Sequence, residues 1–370
     1  MGAFVIIVGV LLMVVVHEAA HFVAAKAFGM KATEAFFGFG PRLWSMQRGE
    51  TEYGIKAVPL GGYVRIIGMN PFEEVAPEDV GRTYRENPFW KKSVVVLAGI
   101  ASHFVVAFVI FAVVALAWGV ASTDASGDPI PTTTVGGVVA TLDDEATPAS
   151  RSGVRRGDII VSFNGVPITT WAEFGAAAAG NPGETVVIGL VRDGEDLEVT
   201  TTLTTRVSDG IEQGFFGVSP AVAIESVGPV GAVSESADNL WFAATQSVRG
   251  LRELVVGFPR VIGAAFGGDD DVLDTARPIS VIGLVRYSGP LQSSLLLLAY
   301  VNVFVGVLNV VPLYPLDGGH FAVALYEKIR GRSADVRKLL PVAAAVFAFI
   351  VLLGLLGFYF DIVDPLQLPE

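Results

Sequence analysis

Residues Val14–Ala25 read VVVHEAAHFVAA, which sets two histidines and a glutamate inside an apolar run extending from about Ala3 to Phe28. On a helix, positions i and i+4 are neighbours, so the HExxH spacing puts His17 and His21 on one face with Glu18 beside them. Neutral imidazoles suit zinc, and an adjacent carboxylate can take a proton from water. In a soluble helix the five-residue pattern recurs by chance. Inside a bilayer span, ionisable groups are costly and default to function.

The rest of the chain supports a bilayer setting. Hydrophobic residues make up 52% of the 370 and charged residues only 17%, and mean hydropathy is +0.57, a balance that points to a membrane protein with a soluble part. A net charge of −12 argues against nucleic acid, whose phosphates demand basic patches. The chain has no cysteine, which removes thiolate ligands, disulfides and a cysteine nucleophile from consideration. Its four histidines, His17, His21, His103 and His320, are the whole supply for any imidazole site.

Four stretches can cross a hydrocarbon core: roughly Ala3–Phe28, Ser93–Trp118, Leu295–Val311 and Leu339–Phe360. The first resembles a secretory signal, but it lacks a basic leading region and carries Glu18, so it is expected to remain as a span. Residues 26–92 hold ten Lys/Arg and 327–338 hold five, whereas 120–290 dilute ten among twenty-two Asp/Glu. By the positive-inside rule the first two segments are cytoplasmic and the third lies outside.

A catalytic zinc site needs three protein ligands and an open position. The third ligand must be a carboxylate or one of the remaining histidines. The third span ends in NVVPLYPLDGGH (Asn309–His320), where Pro312 and Pro315 break the helix and Asp317 starts another. That break lets a carboxylate swing toward the bundle at the depth of His17 and His21. Spacing alone does not choose between Asp317 and His320. His103, about ten residues into the second span, fits a core histidine bonded to a neighbour.

The external segment contains RSGVRRGDIIVSFNGVPITTWAEF (Arg151–Phe174) and ETVVIGLVRDGEDLEVTTTL (Glu184–Leu203). Gly157-Asp158, Asn164-Gly165 and Asp193-Gly194 punctuate alternating strands. These residues resemble a PDZ domain over 131–206, a module that binds peptides by strand addition. Residues 222–290 follow as a helical connector, read equally as lying along the membrane surface or packing on the PDZ domain, with the acidic run Asp269–Asp271 as a solvated loop.

The HEAAH span, the PDZ-like insert and NVVPLYPLDGG together resemble the site-2 proteases, intramembrane zinc metalloproteases, and are most similar to the bacterial RseP type with one PDZ domain instead of two. The resemblance covers nearly the whole chain. It implies that His17, His21 and Asp317 bind Zn2+, that Glu18 is the catalytic base, and that Asn309 contacts the substrate main chain. Phe36–Met69, read as short strands with turns at Arg48-Gly49 and Gly61-Gly62, is similar to the family's re-entrant β-hairpin, which clamps substrate as an added strand. RPISVIG (Arg277–Gly283) echoes a G-P-I-S segment. The second span departs from the family: in LAGIASHF, Ile100 and His103 stand where A-G-P-x-x-N carries proline and asparagine.

The expected architecture is a polytopic α-helical membrane protein with about four transmembrane helices, a cytoplasmic-side re-entrant β-hairpin region and an inserted extracytoplasmic PDZ domain. Its parts are residues 1–30 (first span), 31–92 (β region and loop), 93–119 (second span), 131–206 (PDZ), 222–290 (connector), 291–330 (third span and following helix) and 339–361 (fourth span). The resemblance implies a multi-pass bacterial plasma-membrane enzyme acting on single-pass substrates already cut outside, of the anti-sigma-factor or remnant-signal-peptide kind. A metal transporter would use the same four polar residues as a transit site, but the chain lacks the inverted repeats such proteins show. A non-catalytic PDZ scaffold would have no need of an intact HExxH with Asp317.

Overall fold

The computed structural model describes residues 1–70, 73–142, 145–208, 210–265 and 277–363. The expected loop at Asp269–Asp271 lies outside them. The chain divides into a membrane unit, Met1–Trp118 with Gly228–Pro365, and a second unit built on Gly119–Val227.

Among the described residues, four helices of the membrane unit are long and apolar enough to span: Gly2–Ala27 (α1), Phe89–Trp118 (α2), Leu291–Val310 and Arg337–Val363. α1 meets the third span through glycines. A Cβ at Gly9 would overlap the Leu298 side chain, and one at Gly2 would fall 2.4 Å from the Gly289 carbonyl oxygen. Small residues at such crossings let backbones close where no hydrophobic gain drives association. Ala107 and Phe111 of α2 pack with Ala299 and Val303 of the third span and with Ala243. Phe4, Leu12, Val15 and Val23 of α1 and Phe347, Val351 and Leu355 of the last span point outward, which suits hydrocarbon and not water.

Between α1 and α2 run two long strands, β1 (Ala32–Arg48) and β2 (Thr51–Ile66). Their register is not that of a simple hairpin. Residues 34–37 pair with 62–65 in descending order and with 52–55 in ascending order, while 42–48 pair with 51–56. Each strand therefore bends back, giving four segments with 62–66 at one edge. The bends sit at glycines with positive φ, Gly38 and Gly40 in β1 and Gly61 in β2, a region that suits glycine alone. The turn expected at Arg48-Gly49 is present. Gly61-Gly62, also expected as a turn, falls at the bend of β2: Gly61 has positive φ, and Gly62 opens the segment that pairs back along 34–37.

Charged pairs fasten this sheet to the helices. Glu50, in the turn, takes hydrogen bonds from Arg82 and from Lys26 at the end of α1, and together they hold its carboxyl down to about 2. Lys31 reaches Asp79 at 2.5 Å. Ala25, Met30, Ala32, Ile66, Tyr84, Val95 and Val96 close a core beneath.

Helix α5 (Pro229–Ala265) returns from the second unit, its Ala243 joining the core described above and Phe258 contacting Phe349 of the last span edge-on at 4.7 Å. A short helix, Val281–Arg286, is capped by Asp361, whose buried carboxylate accepts from Ser280 N–H, Ser280 Oγ and Gly283 N–H. The third span stops at Val310, and a new helix runs Asp317–Arg330. Gly318 and Gly319 permit that fold-back: a Cβ on either would lie within 2.5 Å of backbone atoms at Val310 or Leu313.

In the second unit, β4 (Pro131–Val138), β7 (Ile159–Phe163), β9 (Thr185–Arg192), β10 (Glu195–Thr202) and β13 (Val218–Val222) form a sheet ordered β10-β9-β7-β4-β13, with β8 (Val166–Pro167) beside β7. Helix α4 (Trp171–Ala179) carries a capping box between Thr170 and Glu173, which satisfies donors at its start. Val135, Ile160, Phe174, Ile188, Leu190 and Phe216 fill the core. This sheet content supports a PDZ-type region. The sheet continues beyond residue 206, because β13 pairs with β4 and Phe216 is buried in the same core.

Asp158 anchors this unit. It is 1% exposed, accepts the Arg155 N–H at 2.8 Å and pairs with Arg192 through both oxygens at 2.7 Å. Burial pushes its carboxyl up, but Arg192 and the Arg155 N–H outweigh it and hold the group below the usual carboxylate range. A depressed folded value means the stabilisation is complete above the unfolded value of about 3.9 and is lost as pH falls through the lower one. Asp158→Ala is expected to destabilise the unit by about 2–3 kcal/mol, below a fully buried pair because Arg192 stays partly solvated. Amide exchange of β7 and β9 in the full-length protein measures this. The variant should also lose part of the wild-type protein's sensitivity below about pH 4.

Candidate metal centre

His17 and His21 stand one turn apart on α1, and Asp317 opens the helix after the third span. The three side chains converge. His17 Nε2 and His21 Nε2 are 3.2 Å apart, and Asp317 Oδ2 lies 3.4 Å from the first and 3.3 Å from the second. Among the described residues this is the one grouping of three such side chains able to hold a metal.

The spacing can be tested against zinc. Arms of about 2.05 Å meeting at the tetrahedral angle place ligand atoms about 3.3 Å apart. All three separations fall within 0.1 Å of that edge. The protonation pattern agrees. His21 Nδ1 is 2.8 Å from the Val95 carbonyl oxygen, which can only accept, so Nδ1 carries the proton and the neutral ring turns a lone pair on Nε2 toward the cluster. Asp317 Oδ2 is buried with no hydrogen-bond donor. Lone pairs of His21 Nε2 and Asp317 Oδ2 facing one another in an apolar bundle repel unless a cation or a proton lies between them, and His17 Nε2 stands where it would complete a set of three donors to a cation. The residues present fit zinc.

Glu18 projects from the same helix but stays outside this trio. Its carboxyl lies by the Val64 backbone, and a Cβ at Gly62 would touch its Cγ at 3.5 Å. The edge segment 62–66 of β2 therefore passes directly beside Glu18. His320 is not among the three. Its ring packs on Tyr314 with centroids 4.6 Å apart, and it lines a cavity of about 60 Å³ with Tyr84, Lys92 and Glu327. Asn309 is half-buried near the end of the third span. His103 is buried against His17, centroids 4.8 Å apart.

Sequence reasoning missed Gly99 and the Val95 carbonyl, both on α2. A Cβ at Gly99 would sit 2.2 Å from His21 Nε2, so only glycine leaves room for the imidazole. The signal is present in LAGIASHF, where the glycine stands directly before Ile100.

The sequence profile of "Peptidase family M50" matches residues 5–353. The chain belongs to peptidase family M50. Similar proteins include the zinc metalloprotease Rip1 of Mycobacterium tuberculosis, 32% identical over 97% of this chain and 96% of that one. A putative zinc metalloprotease of Clostridium acetobutylicum is 26% identical over 99% and 100%. The regulator of sigma E protease of Salmonella typhi is 26% identical over 91% and 92%. A solved PDZ domain of the SdrC-like protein from Listeria monocytogenes matches at 21% identity over 25% of this chain and 88% of its own, with a TM-score of 0.19.

Proposed function

We propose that this M50 chain is an intramembrane zinc endopeptidase that cuts single-pass membrane proteins whose outer portion has already been removed. The observation that carries the reading is the trio of donor atoms at tetrahedral spacing among apolar helices. The relatives named zinc metalloprotease and regulator of sigma E protease support it.

His17 and His21 through Nε2, and Asp317 through Oδ2, would hold the metal. When bound, zinc supplies Lewis acidity, drawing charge from a carbonyl and acidifying water. Glu18 takes the proton of the attacking water and returns it to the leaving nitrogen. A helical substrate must unwind before its peptide bond is reachable. The segment 62–66 beside Glu18 is an edge of its sheet, on which an extended stretch can align by strand addition. Asn309 contacts the substrate main chain near the same site.

The PDZ-type unit lies on the extracytoplasmic side of a bacterial plasma membrane and admits only shortened substrates, of the anti-sigma-factor or remnant-signal-peptide class. The excess of Lys/Arg in 26–92 and 327–338 supports that orientation.

The test is cleavage, in detergent, of a tagged single-pass protein with and without a bulky outer domain. The shortened form should be cut within its span, activity should vanish with a zinc chelator, and zinc should restore it. Cleavage that persists after the metal is stripped would sink the reading.

A further inference from the structure

The two histidines of the trio are held differently. His21 is aimed by the Val95 carbonyl, whereas His17 Nδ1 is buried and makes no hydrogen bond. The carbonyl of Gly99 lies close to His17; it accepts Ser102 Oγ at 2.6 Å and keeps a second lone pair. The ring packed on His17 is His103, tilted by 33°.

His103 is 2% exposed, and neither of its ring nitrogens has a hydrogen bond. Asn302 of the third span faces it. Asn302 is fully buried, and its Nδ2 donates to the Leu298 carbonyl at 2.9 Å, leaving Oδ1 without a donor. Gly306 keeps α2 and the third span close at this level, since a Cβ there would come within 3.0 Å of His103 Cβ.

Three helices thus bring three incompletely paired polar side chains to one place in the bundle. Buried polar groups are costly unless they pair, so their order matters. Asn302 Oδ1 can only accept. His17, if Nε2 is to keep its lone pair for a metal, must carry its proton on Nδ1 and can only donate there. The residue between them needs one donor and one acceptor, and a neutral imidazole has that pair.

We propose that His103, backed by Asn302, is the positioning residue for His17: Asn302 Oδ1 accepts from one nitrogen of His103, and the other accepts the Nδ1 proton of His17. The inference rests on the proposed metal centre. It does for His17 what Val95 does for His21, and it gives His103 a role without making it a ligand.

The test needs no substrate. Cobalt(II) is bound to the metal-free full-length protein, its affinity measured by chelator competition and its ligand field by visible absorption. Outer partners of ligating histidines are worth about 10–100-fold in affinity. His103→Leu is expected to lose that much and to shift the spectrum. His103→Asn, whose amide also has a donor and an acceptor, should stay within about threefold of wild type with the wild-type spectrum. The proposal is overturned if His103→Leu matches wild type. It is equally overturned if the leucine and asparagine variants are impaired alike, which would point to packing or direct ligation. A His21→Ala protein that binds cobalt normally would overturn the metal centre itself, and this inference with it.

Discussion

Glu18→Gln is expected to slow cleavage of a shortened single-pass substrate by about 10²–10⁴-fold, the range that proton transfer by a positioned side chain contributes, while zinc content stays at the wild-type level. The two halves of this expectation have separate causes. Glutamine matches glutamate in shape, so the contacts with Gly62 and Val64 survive. Glu18 is also outside the trio formed by His17, His21 and Asp317, so the donor set is intact. An amide cannot take a proton from water, so the chemical step alone suffers. Metal analysis and a cleavage time course on the same preparation separate the outcomes. A variant that cuts at the wild-type rate removes Glu18 as the base. One that is inactive because it has lost its zinc makes Glu18 a ligand or a structural support.

The HExxH face was legible because two residues four apart need no tertiary information to share a side of a helix. The spans were legible for a similar reason: runs such as Leu340–Val363 are long and apolar whatever they pack against. The third member of the trio was less so. Pro312 and Pro315 announce a break, but the way the chain folds back depends on Gly318 and Gly319 closing on the carbonyls of Val310 and Leu313. That contact does not exist until the helix has formed. Spacing left Asp317 and His320 level, and the resemblance favoured Asp317. In the structure the two lie three residues apart on one helix, with Asp317 at the histidines and His320 at Tyr314.

The β elements show where pattern fails. Alternation marks Phe36–Met69 as strand, but the folding of two strands into four segments is set by which glycines bend, and φ is not written in composition. Strand β13 lies beyond the expected boundary at 206, and Pro220 within it withholds the signal of a central strand. The structure puts β13 at the sheet edge, where proline is tolerated.

Gly99→Ala is the second large effect expected, and it arises from a residue with no side chain. The new methyl group would lie 2.2 Å from His21 Nε2 and 2.3 Å from Cε1, well inside any allowed contact. The ring cannot retreat easily, because His21 is 7% exposed and its Nδ1 is fixed to Val95 on the same helix as Gly99. One bond would have to give: either α1 moves off α2, or His21 turns away and takes its lone pair out of the trio. Loss of a ligand should cost at least the roughly 100-fold at the upper end for an outer partner, so zinc should dissociate during purification and activity fall with it. Alanine favours helix more than glycine does, so propensity works against the predicted loss and cannot produce it. Gly354→Ala is the control, because that glycine has open space around it on the last span. Zinc retained at full stoichiometry in Gly99→Ala would mean that His21 is free to shift, and the close fit of α1 against α2 would not be what holds the imidazole in place.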